Sequence, residues 1–515
     1  MTPGVRTALP VLPAEPARDR TTRAGTATTT IRLLTLGCDK NTVDSERLLA
    51  RLASAGARAV DDDADVTIVN TCGFIEVARE ESIDAILEAV KLKDAGRTLA
   101  VVALGCLVQR YQVELRKEIP EVDLFLGLTE VERLVPELRR RGLLTDAPPA
   151  AANMEQPLRL MTTARHSSFL KISEGCDHGC AFCAIPVMRG KHRSTPIDVL
   201  VAEAQQLEAA GVVELSLVSQ DTTWYGRDIQ RGGPAGPDDW FVGRPYDGMA
   251  GIDSHMVGTA HTALRTADTG RRDGMLIDLL DALLANTTVP WFRLFYMYPS
   301  GIRPELVERI AGEPRIVNYL DMPIQHGADA MLKRMRRPER QSTIRERIAW
   351  LRSSIPDVSL RTTAIVGFPG ETEDDFEAML ELFEELRFDH VGAFAYSTEE
   401  GTPAATMDGQ VAESVKRERL ERLLDLQRSI TLEKNESLIG TTQRVLVDGV
   451  EGAEEPAVER GNGGSAVGRT ARQALEVDGE VCIEDARGAR AGHFVDVHIT
   501  GAFDQDLTGT VADAH

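Results

Sequence analysis

The N-terminal part of the chain repeats one unit three times: a short apolar strand pattern that ends at a cysteine and is followed by a helical pattern. The cysteines Cys38, Cys72 and Cys106 stand at equal intervals of 34 residues. Units of this length build a parallel sheet, in which the carboxyl ends of the strands line the crevice where ligands bind. A single cysteine at such a place is most often a small buried apolar residue. Three at the same place in successive units predict a shared three-cysteine site.

A second group of thiols is much tighter, because Cys176, Cys180 and Cys183 follow a C-x3-C-x2-C spacing. Three thiolates can hold an iron-sulfur cube and leave one iron open to a substrate. A structural zinc site needs four closed ligands, and only His178 and His192 stand nearby as a fourth. A disulfide does not satisfy an odd triplet. The spacing therefore favours an iron-sulfur cluster, with zinc as the alternative.

Six strand patterns alternate with helical patterns between residues 165 and 410, which predicts a partial barrel of six strand-helix units. The chemistry of such barrels lies at the carboxyl ends of the strands. The segments that fall there are residues 176, 220–223, 298–299, 325–326, 367–372 and 397–402. His326 is a candidate metal ligand or base, although a lone histidine is more often a packed, hydrogen-bonded residue. Arg189, Lys191 and Arg193, just after the triplet, are expected either to meet a carboxylate or to be solvated.

The cysteine triplet, with Phe182 immediately before its third cysteine, resembles the signature loop of radical S-adenosylmethionine enzymes. The resemblance implies a 4Fe-4S cluster on Cys176, Cys180 and Cys183, whose open iron binds the amino and carboxylate groups of S-adenosylmethionine. It also places Phe182 near the cluster and the adenine. Reductive cleavage of the sulfonium would give methionine and a deoxyadenosyl radical, which abstracts hydrogen from an unreactive carbon.

The N-terminal repeats resemble the first domain of methylthiotransferases in this superfamily. That resemblance implies an auxiliary 4Fe-4S cluster on Cys38, Cys72 and Cys106, whose open iron carries the sulfur to be transferred. Residues 441–510 alternate strand patterns with glycine-rich turns and predict a small five-stranded β-barrel, which resembles a TRAM domain, commonly an RNA-binding module. The expected fold class is α/β, with an N-terminal parallel sheet, a central partial (β/α)6 radical S-adenosylmethionine barrel and this small β-barrel.

The expected domain boundaries follow from these patterns and from composition. They are a disordered tail without an apolar signal region (1–29), the N-terminal methylthiotransferase domain (30–142), a linker rich in alanine and proline (143–164), the central barrel (165–410) with a loop insertion (226–274), a charged connecting helix (411–440) and the TRAM-like barrel (441–510). No run of eighteen uncharged apolar residues suggests a membrane span. The patterned cysteines indicate the reducing cytoplasm.

Two branches of the methylthiotransferase family differ in substrate. Residues 220–226, 319–323 and 391–402 resemble the RimO branch, which modifies the β-carbon of an aspartate of ribosomal protein S-twelve. The MiaB branch modifies C2 of an isopentenylated adenosine in transfer RNA, and would show an Asn-Val-Asn type of segment where this chain has Asp-Thr-Thr. The resemblance implies that one S-adenosylmethionine donates the methyl group to sulfur and a second yields the radical.

The charge of the chain agrees with a protein substrate. The formal net charge is -22, and residues 440–515 hold six arginines and no lysine against fourteen acidic residues. Such a surface repels the phosphates of a nucleic acid and suits a basic ribosomal protein. We therefore expect ribosomal protein S-twelve as the partner, an unidentified electron donor, no membrane, and no nucleic acid as primary substrate. The remote alternative is a non-catalytic scaffold whose cysteines hold structural zinc.

Overall fold

A computed structural model describes residues 28–144, 158–230, 275–450, 464–486 and 488–512. Within them the chain forms a five-stranded parallel sheet, a six-stranded parallel sheet and a closed five-stranded barrel, in that order. This confirms the predicted α/β class and its terminal β-barrel. Most of the predicted tail, linker and insertion lies outside the described residues. No helix in the described ranges is long and apolar enough to cross a membrane.

The N-terminal sheet has the strand order β2-β1-β3-β4-β5, and all of its neighbouring strands are parallel. Its elements are β1 (Thr30–Thr35), α1 (Asp39–Ser54), β2 (Arg58–Ala59), β3 (Val66–Thr71), α2 (Glu76–Asp94), β4 (Ala100–Gly105), α3 (Cys106–Glu118), β5 (Leu124–Leu126), a 3-10 turn (Leu128–Arg133) and α4 (Leu134–Arg140). Helices α1 and α4 pack on one face of the sheet, and α2 and α3 pack on the other. Because both faces are covered, β3 and β4 are buried along their whole length.

The central sheet joins six parallel strands in the order β6-β9-β10-β11-β12-β13. Its strands are β6 (Ser167–Lys171), β9 (Glu214–Val218), β10 (Trp291–Leu294), β11 (Ile316–Asp321), β12 (Ser359–Val366) and β13 (His390–Ala395), and β7 (Ser173–Glu174) pairs with β8 (Arg193–Ser194) as a short ribbon. The helices are α5 (Ile185–Arg189), α6 (Ile197–Ala209), α7 (Arg227–Gln230), α8 (Met275–Asn286), α9 (Pro304–Gly312), α10 (Asp329–Arg334), α11 (Gln341–Ser354) and α12 (Glu373–Leu386). The terminal strands β6 and β13 do not pair with each other, so the barrel is partial, as predicted.

The terminal barrel is closed in the order β14-β15-β16-β18-β17 around its own apolar core. Its strands are β14 (Thr442–Val450), β15 (Ala466–Thr470), β16 (Val481–Asp485), β17 (Phe494–Ala502) and β18 (Leu507–Val511), and the connecting helix α13 (Glu413–Glu436) precedes them. Two cations of α13 are buried, and each has a partner in the central unit. Lys416 Nζ donates to the Tyr396 carbonyl oxygen (2.9 Å), and Arg419 Nη1 donates to Glu371 Oε1 (2.8 Å). The charged helix is therefore tied to the central unit by its cations.

The terminal barrel also covers the inner face of the central sheet. Trp291 and Tyr319 on that face pack in one apolar cluster with Leu446 and Ala474 of the terminal unit. The Tyr319 hydroxyl donates to Asp478 Oδ2 at 2.7 Å. The C-terminal unit thus completes the core of the barrel that precedes it.

A buried carboxylate shared by two arginines joins these units. Glu214 accepts a hydrogen bond from Nε of Arg293 (2.9 Å) in the neighbouring strand and another from Nη2 of Arg469 (2.7 Å) in β15. Burial by itself raises the pKa of Glu214, but the charges of Arg469 and Arg293 outweigh it and lower the pKa to about 2. The carboxylate is therefore charged over the whole physiological range.

Replacing Glu214 by Gln should leave two buried guanidinium groups without their shared carboxylate. We expect the free energy of unfolding, measured by urea denaturation, to fall by about 3–5 kcal/mol. Folding lowers the pKa of Glu214. The difference in free energy of unfolding between the native chain and the variant should therefore be complete above the unfolded pKa of 4.5 and should vanish as the pH falls towards 2. Glu137→Gln, which breaks a surface pair with Arg140, is the control. Equal losses in the two variants would contradict the assignment.

Candidate active site

The cysteine triplet lies on the loop that follows β7, at the carboxyl end of the central sheet. Cys176 is buried, and Cys180 and Cys183 are half-buried. The turn requires Gly175, whose φ is +73° and where an added Cβ would lie 2.2 Å from the Lys191 carbonyl oxygen. The loop therefore presents its three thiols on a tightly constrained backbone.

Loops from neighbouring strands close around this triplet. The Tyr298 hydroxyl, after β10, lies 3.8 Å from Cys180 Sγ, and Arg337 Nη1 lies 3.9 Å from the same sulfur. The Arg337 guanidinium stands 3.8 Å from the Tyr298 ring centre and donates to the Pro323 carbonyl oxygen (2.6 Å), after β11. Burial raises the pKa of Tyr298 well above its ordinary value, so its hydroxyl stays protonated. The predicted strand-end residue Tyr298 thus meets the triplet, together with Arg337, which lies outside the predicted segments.

Both histidines near the triplet have other partners. His178 Nε2 lies 2.6 Å from Asp221 Oδ2, and His192 Nε2 lies 3.2 Å from the Ser194 hydroxyl oxygen. Asp221 belongs to the Asp-Thr-Thr segment that distinguishes the two family branches, and this hydrogen bond brings the segment to the cysteine loop. Burial lowers the pKa of His192, which favours its neutral form.

Two other predicted residues are packed side chains. His326 is fully buried, its Nδ1 accepts from the Ala328 N–H (2.9 Å), and its Nε2 lies 3.3 Å from Glu371 Oε2. With both ring nitrogens occupied, His326 fits the packed interpretation rather than that of a ligand or base. Phe182 is partly buried against an apolar cluster that includes Phe368.

The other three cysteines lie at the carboxyl ends of three adjacent strands of the N-terminal sheet. Cys38 precedes α1, Cys72 follows β3, and Cys106 is the first residue of α3. Gly37 has a φ of +90°, and a Cβ there would lie 2.8 Å from Cys72 Sγ, so only glycine lets the two loops approach so closely. Burial is the main cause that raises the pKa of Cys72 to about 12 and that of Cys106 to about 11.

Sequence reasoning missed Asn41, whose amide contacts all three of these loops. Its Nδ2 donates to the carbonyl oxygens of Leu36 (2.8 Å) and Thr71 (3.2 Å), which precede Cys38 and Cys72. Its Oδ1 accepts from the Cys106 thiol at 3.8 Å. The position of Asn41, three residues after Cys38 in the same segment, was the available signal.

Arg189 links this site to the central unit. The sequence left open whether Arg189 meets a carboxylate or is solvated, and in the structure it meets two carboxylates. It is almost fully buried, and its Nη1 donates to Glu174 Oε1 (2.8 Å) and Asp44 Oδ2 (3.2 Å). Its Nη2 donates to Asn41 Oδ1. Lys171 contacts the same two carboxylates and completes a network of two cations and two anions.

Segments next to the two cysteine groups pack against each other across the boundary between the first two units. Cys106 packs in one apolar cluster with Ala184 and Met188, which follow Cys183 closely in the chain. A second contact places Lys40 Nζ, beside Cys38, 3.2 Å from the centre of the Tyr296 ring. Both contacts join a segment of the N-terminal sheet to the carboxyl end of the central sheet.

The donor set suits iron-sulfur clusters. The His178 N–H lies 3.4 Å from Cys176 Sγ, and hydrogen bonds to cysteine sulfur tune such clusters. No three histidine, cysteine or acidic side chains in the described ranges stand close enough together to hold one metal ion. The irons of a cube occupy separate corners, so its ligands stand further apart than those of a single ion. Thiols with a raised pKa give up their protons to a metal and not to bulk water.

Thiol alkylation in the cluster-free protein tests this geometry. At about pH 8, exposed Cys38 should react with iodoacetamide at least about tenfold faster than Cys72 and Cys106. Burial keeps the reagent away from Cys72 and Cys106, and it raises their pKa so that they stay protonated. Peptide mass mapping after short exposures measures the three rates, and unfolding in urea should make them equal. Equal rates in the folded protein would show that the buried arrangement is wrong.

Models of known protein families match each unit of the chain. Residues 30–127 match the uncharacterized protein family UPF0004, residues 170–383 match the radical SAM superfamily, and residues 439–512 match the TRAM domain. A solved radical S-adenosylmethionine methyltransferase, TsrM from Kitasatospora setae, aligns at 13% identity with a TM-score of 0.45, covering 84% of this chain and 82% of that chain. This structural likeness is too distant to carry an argument.

Curated relatives match almost the whole chain. The ribosomal protein uS12 methylthiotransferase RimO of Anaeromyxobacter sp. (strain K) is 43% identical over 94% of this chain and 93% of its own length. The RimO protein of Pelobacter propionicus is 40% identical over 94% of this chain and 98% of its own length. At this identity and coverage, the chain belongs to the RimO family of radical S-adenosylmethionine methylthiotransferases.

Proposed function

We propose that this enzyme installs a methylthio group on the β-carbon of an aspartate in ribosomal protein uS12, the protein called S-twelve above. The observation that carries this proposal is the apolar cluster that Cys106 shares with Ala184 and Met188, because it packs one auxiliary cysteine against the segment that follows Cys183. A methylthio transfer needs a sulfur carrier beside a radical source, and this contact supplies that proximity. The RimO relatives support the choice of substrate.

The radical S-adenosylmethionine family brings a 4Fe-4S cluster and S-adenosylmethionine. We assign this cluster to Cys176, Cys180 and Cys183, and a second 4Fe-4S cluster to the strand-end cysteines described above. When bound, these groups would supply the electron that cleaves S-adenosylmethionine and the sulfur that receives its methyl group.

The side chains around the triplet contact the cysteine loop and hold one another in a fixed orientation. Arg337 keeps a positive charge beside Cys180, and the protonated Tyr298 hydroxyl is directed at the same sulfur. Asp221 fixes the His178 ring, which stacks on Tyr298 at 4.0 Å. Packing of this kind closes the site to solvent and dissolved oxygen, which prevents side reactions of a reactive intermediate. By the family resemblance, we also place Phe182 near the cluster and the adenine.

Charge and location support a protein substrate over a nucleic acid. The acidic terminal barrel uses Arg469 to bind Glu214 of the central sheet, so this cation of the domain is buried in an internal ion pair. That arrangement leaves little positive charge for a phosphate backbone. We propose cytoplasmic action, an electron donor yet to be identified, and domain boundaries close to residues 142, 165, 410 and 441. The second candidate function is the MiaB reaction on transfer RNA.

The intact mass of uS12 tests the substrate. Host cells that lack the gene should yield uS12 without a methylthio increment, and the native gene should restore it. A chain with Cys38, Cys72 and Cys106 all replaced by alanine should restore nothing, whereas Cys482→Ala, in the terminal barrel, should restore the full increment. A methylthio mark that returned on transfer RNA adenosine and not on uS12 would select the MiaB reaction.

Iron content tests the number of clusters. After anaerobic reconstitution the native chain should hold about eight irons, and each triple cysteine-to-alanine variant should hold about four. Iron and acid-labile sulfide analysis measures both values, and the Cys482→Ala chain should match the native one. A colourless protein that binds zinc instead would support the scaffold alternative.

A further inference from the structure

We propose that Arg189 is a positioning residue through which the central unit raises the reduction potential of the auxiliary cluster. This inference rests on the proposed function, since it presupposes a cluster on Cys38, Cys72 and Cys106. Arg189 itself belongs to the other unit, where it ends the short helix that follows the radical triplet. It is therefore placed to connect the two cysteine sites.

One amide oxygen separates Arg189 from a cysteine of the auxiliary site. Asn41 Oδ1 accepts from Arg189 Nη2 at 2.5 Å and from the Cys106 thiol at 3.8 Å. A cysteine bound to a metal is a thiolate and has no proton to donate. When Cys106 holds a cluster, the oxygen of Asn41 is therefore left to Arg189 alone, and the guanidinium is separated from the sulfur by that one oxygen.

The position of Arg189 is fixed by its other partners. Glu174 and Asp44 bind its Nη1, and Lys171 binds the same two carboxylates from another direction. The charges of Arg189 and Lys171 lower the pKa of Glu174 well below its ordinary value, against the effect of burial, so the carboxylate that holds Arg189 stays ionised. The guanidinium cannot leave without exposing buried charges, which is costly.

A fixed positive charge beside an iron-sulfur cluster stabilises its reduced form, which carries one more negative charge. The effect is strong here because Arg189 and Cys106 are both buried, and charges interact more strongly where water is excluded. A purely structural role, as a clamp between two units, would stabilise the chain without moving the potential.

The test measures the midpoint potential of the auxiliary site alone. In a chain with Cys176, Cys180 and Cys183 replaced by alanine, dithionite supplies one electron per cluster in the presence of mediators, and the EPR signal of the reduced cluster gives the midpoint. Arg189→Gln should shift the midpoint to a more negative value. Arg189→Lys, which keeps the positive charge, should restore most of the native value.

Arg159→Gln is the matched control. Arg159 is equally buried and also spans the boundary between the units, since it pairs with Glu46 of α1 and with Glu203 of α6. Its partners in the structure do not include a cysteine loop, so its loss should leave the midpoint unchanged. A midpoint that is the same in native, Arg189→Gln and Arg159→Gln chains would overturn the proposal.

A second variant keeps the test decisive if Arg189→Gln does not fold. Asn41→Asp preserves the shape of the side chain and places a carboxylate at the oxygen that contacts Cys106, so it should also shift the midpoint negatively. An unchanged midpoint in this variant would equally overturn the proposal. Iron analysis separates the two levels of inference: a background chain that binds no iron contradicts the proposed auxiliary cluster, whereas a bound cluster with an unmoved potential contradicts only the role of Arg189.

Discussion

Arg189 donates hydrogen bonds to Glu174 in its own unit and to Asp44 in the N-terminal unit, so the two units share one buried guanidinium. Removing either carboxylate would leave the buried guanidinium without one of its partners, which lowers the free energy of unfolding by several kcal/mol. The chain repeats this device where Arg110 binds both Glu399, after β13, and the carbonyl oxygen of Gly73. The loop that carries Cys72 is thereby connected, through Arg110, to the segment that follows the last barrel strand. The geometry between the cysteine sites follows from these shared charges.

Buried ion pairs also attach the terminal barrel to the inner face of the central sheet. Asp478 binds Tyr319 and lies 3.4 Å from Nε of Arg361, which in turn contacts Asp321 at 3.1 Å. Asp321 accepts a hydrogen bond from the backbone N–H of Tyr296, the residue on which Lys40 rests. A continuous set of contacts therefore runs from the terminal barrel to the auxiliary cysteine site. A TRAM domain used in this way is a structural part of the catalytic unit.

The sequence was sufficient for the features that depend on local pattern. Six parallel strands alternate with helices in the central unit, as the strand and helix patterns predicted, and the spacing of Cys38, Cys72 and Cys106 predicted the common sheet edge on which they lie. Pairing between distant charges leaves no such pattern. Arg159, in the last part of the predicted linker, illustrates this. It is buried between Glu46 and Glu203, which are distant in the chain, and no local sequence pattern indicates these ion pairs. Asn41 is close to Cys38 in the chain, but its contacts with the loops of Cys72 and Cys106 form only when the three loops meet in the folded sheet.

The way the terminal barrel packs has a consequence for synthesis of the enzyme. A chain emerging from the ribosome can complete its N-terminal sheet early, because all of that sheet's strands are already available. The inner face of the central sheet, with Trp291 and Tyr319, must wait for Leu446, Ala474 and Asp478 to cover it. A nascent chain halted before those residues would carry every cysteine of both triplets and still expose an apolar surface to chaperones and proteases. Quality control in the cell can therefore distinguish a finished enzyme from an unfinished one by a surface remote from its chemistry.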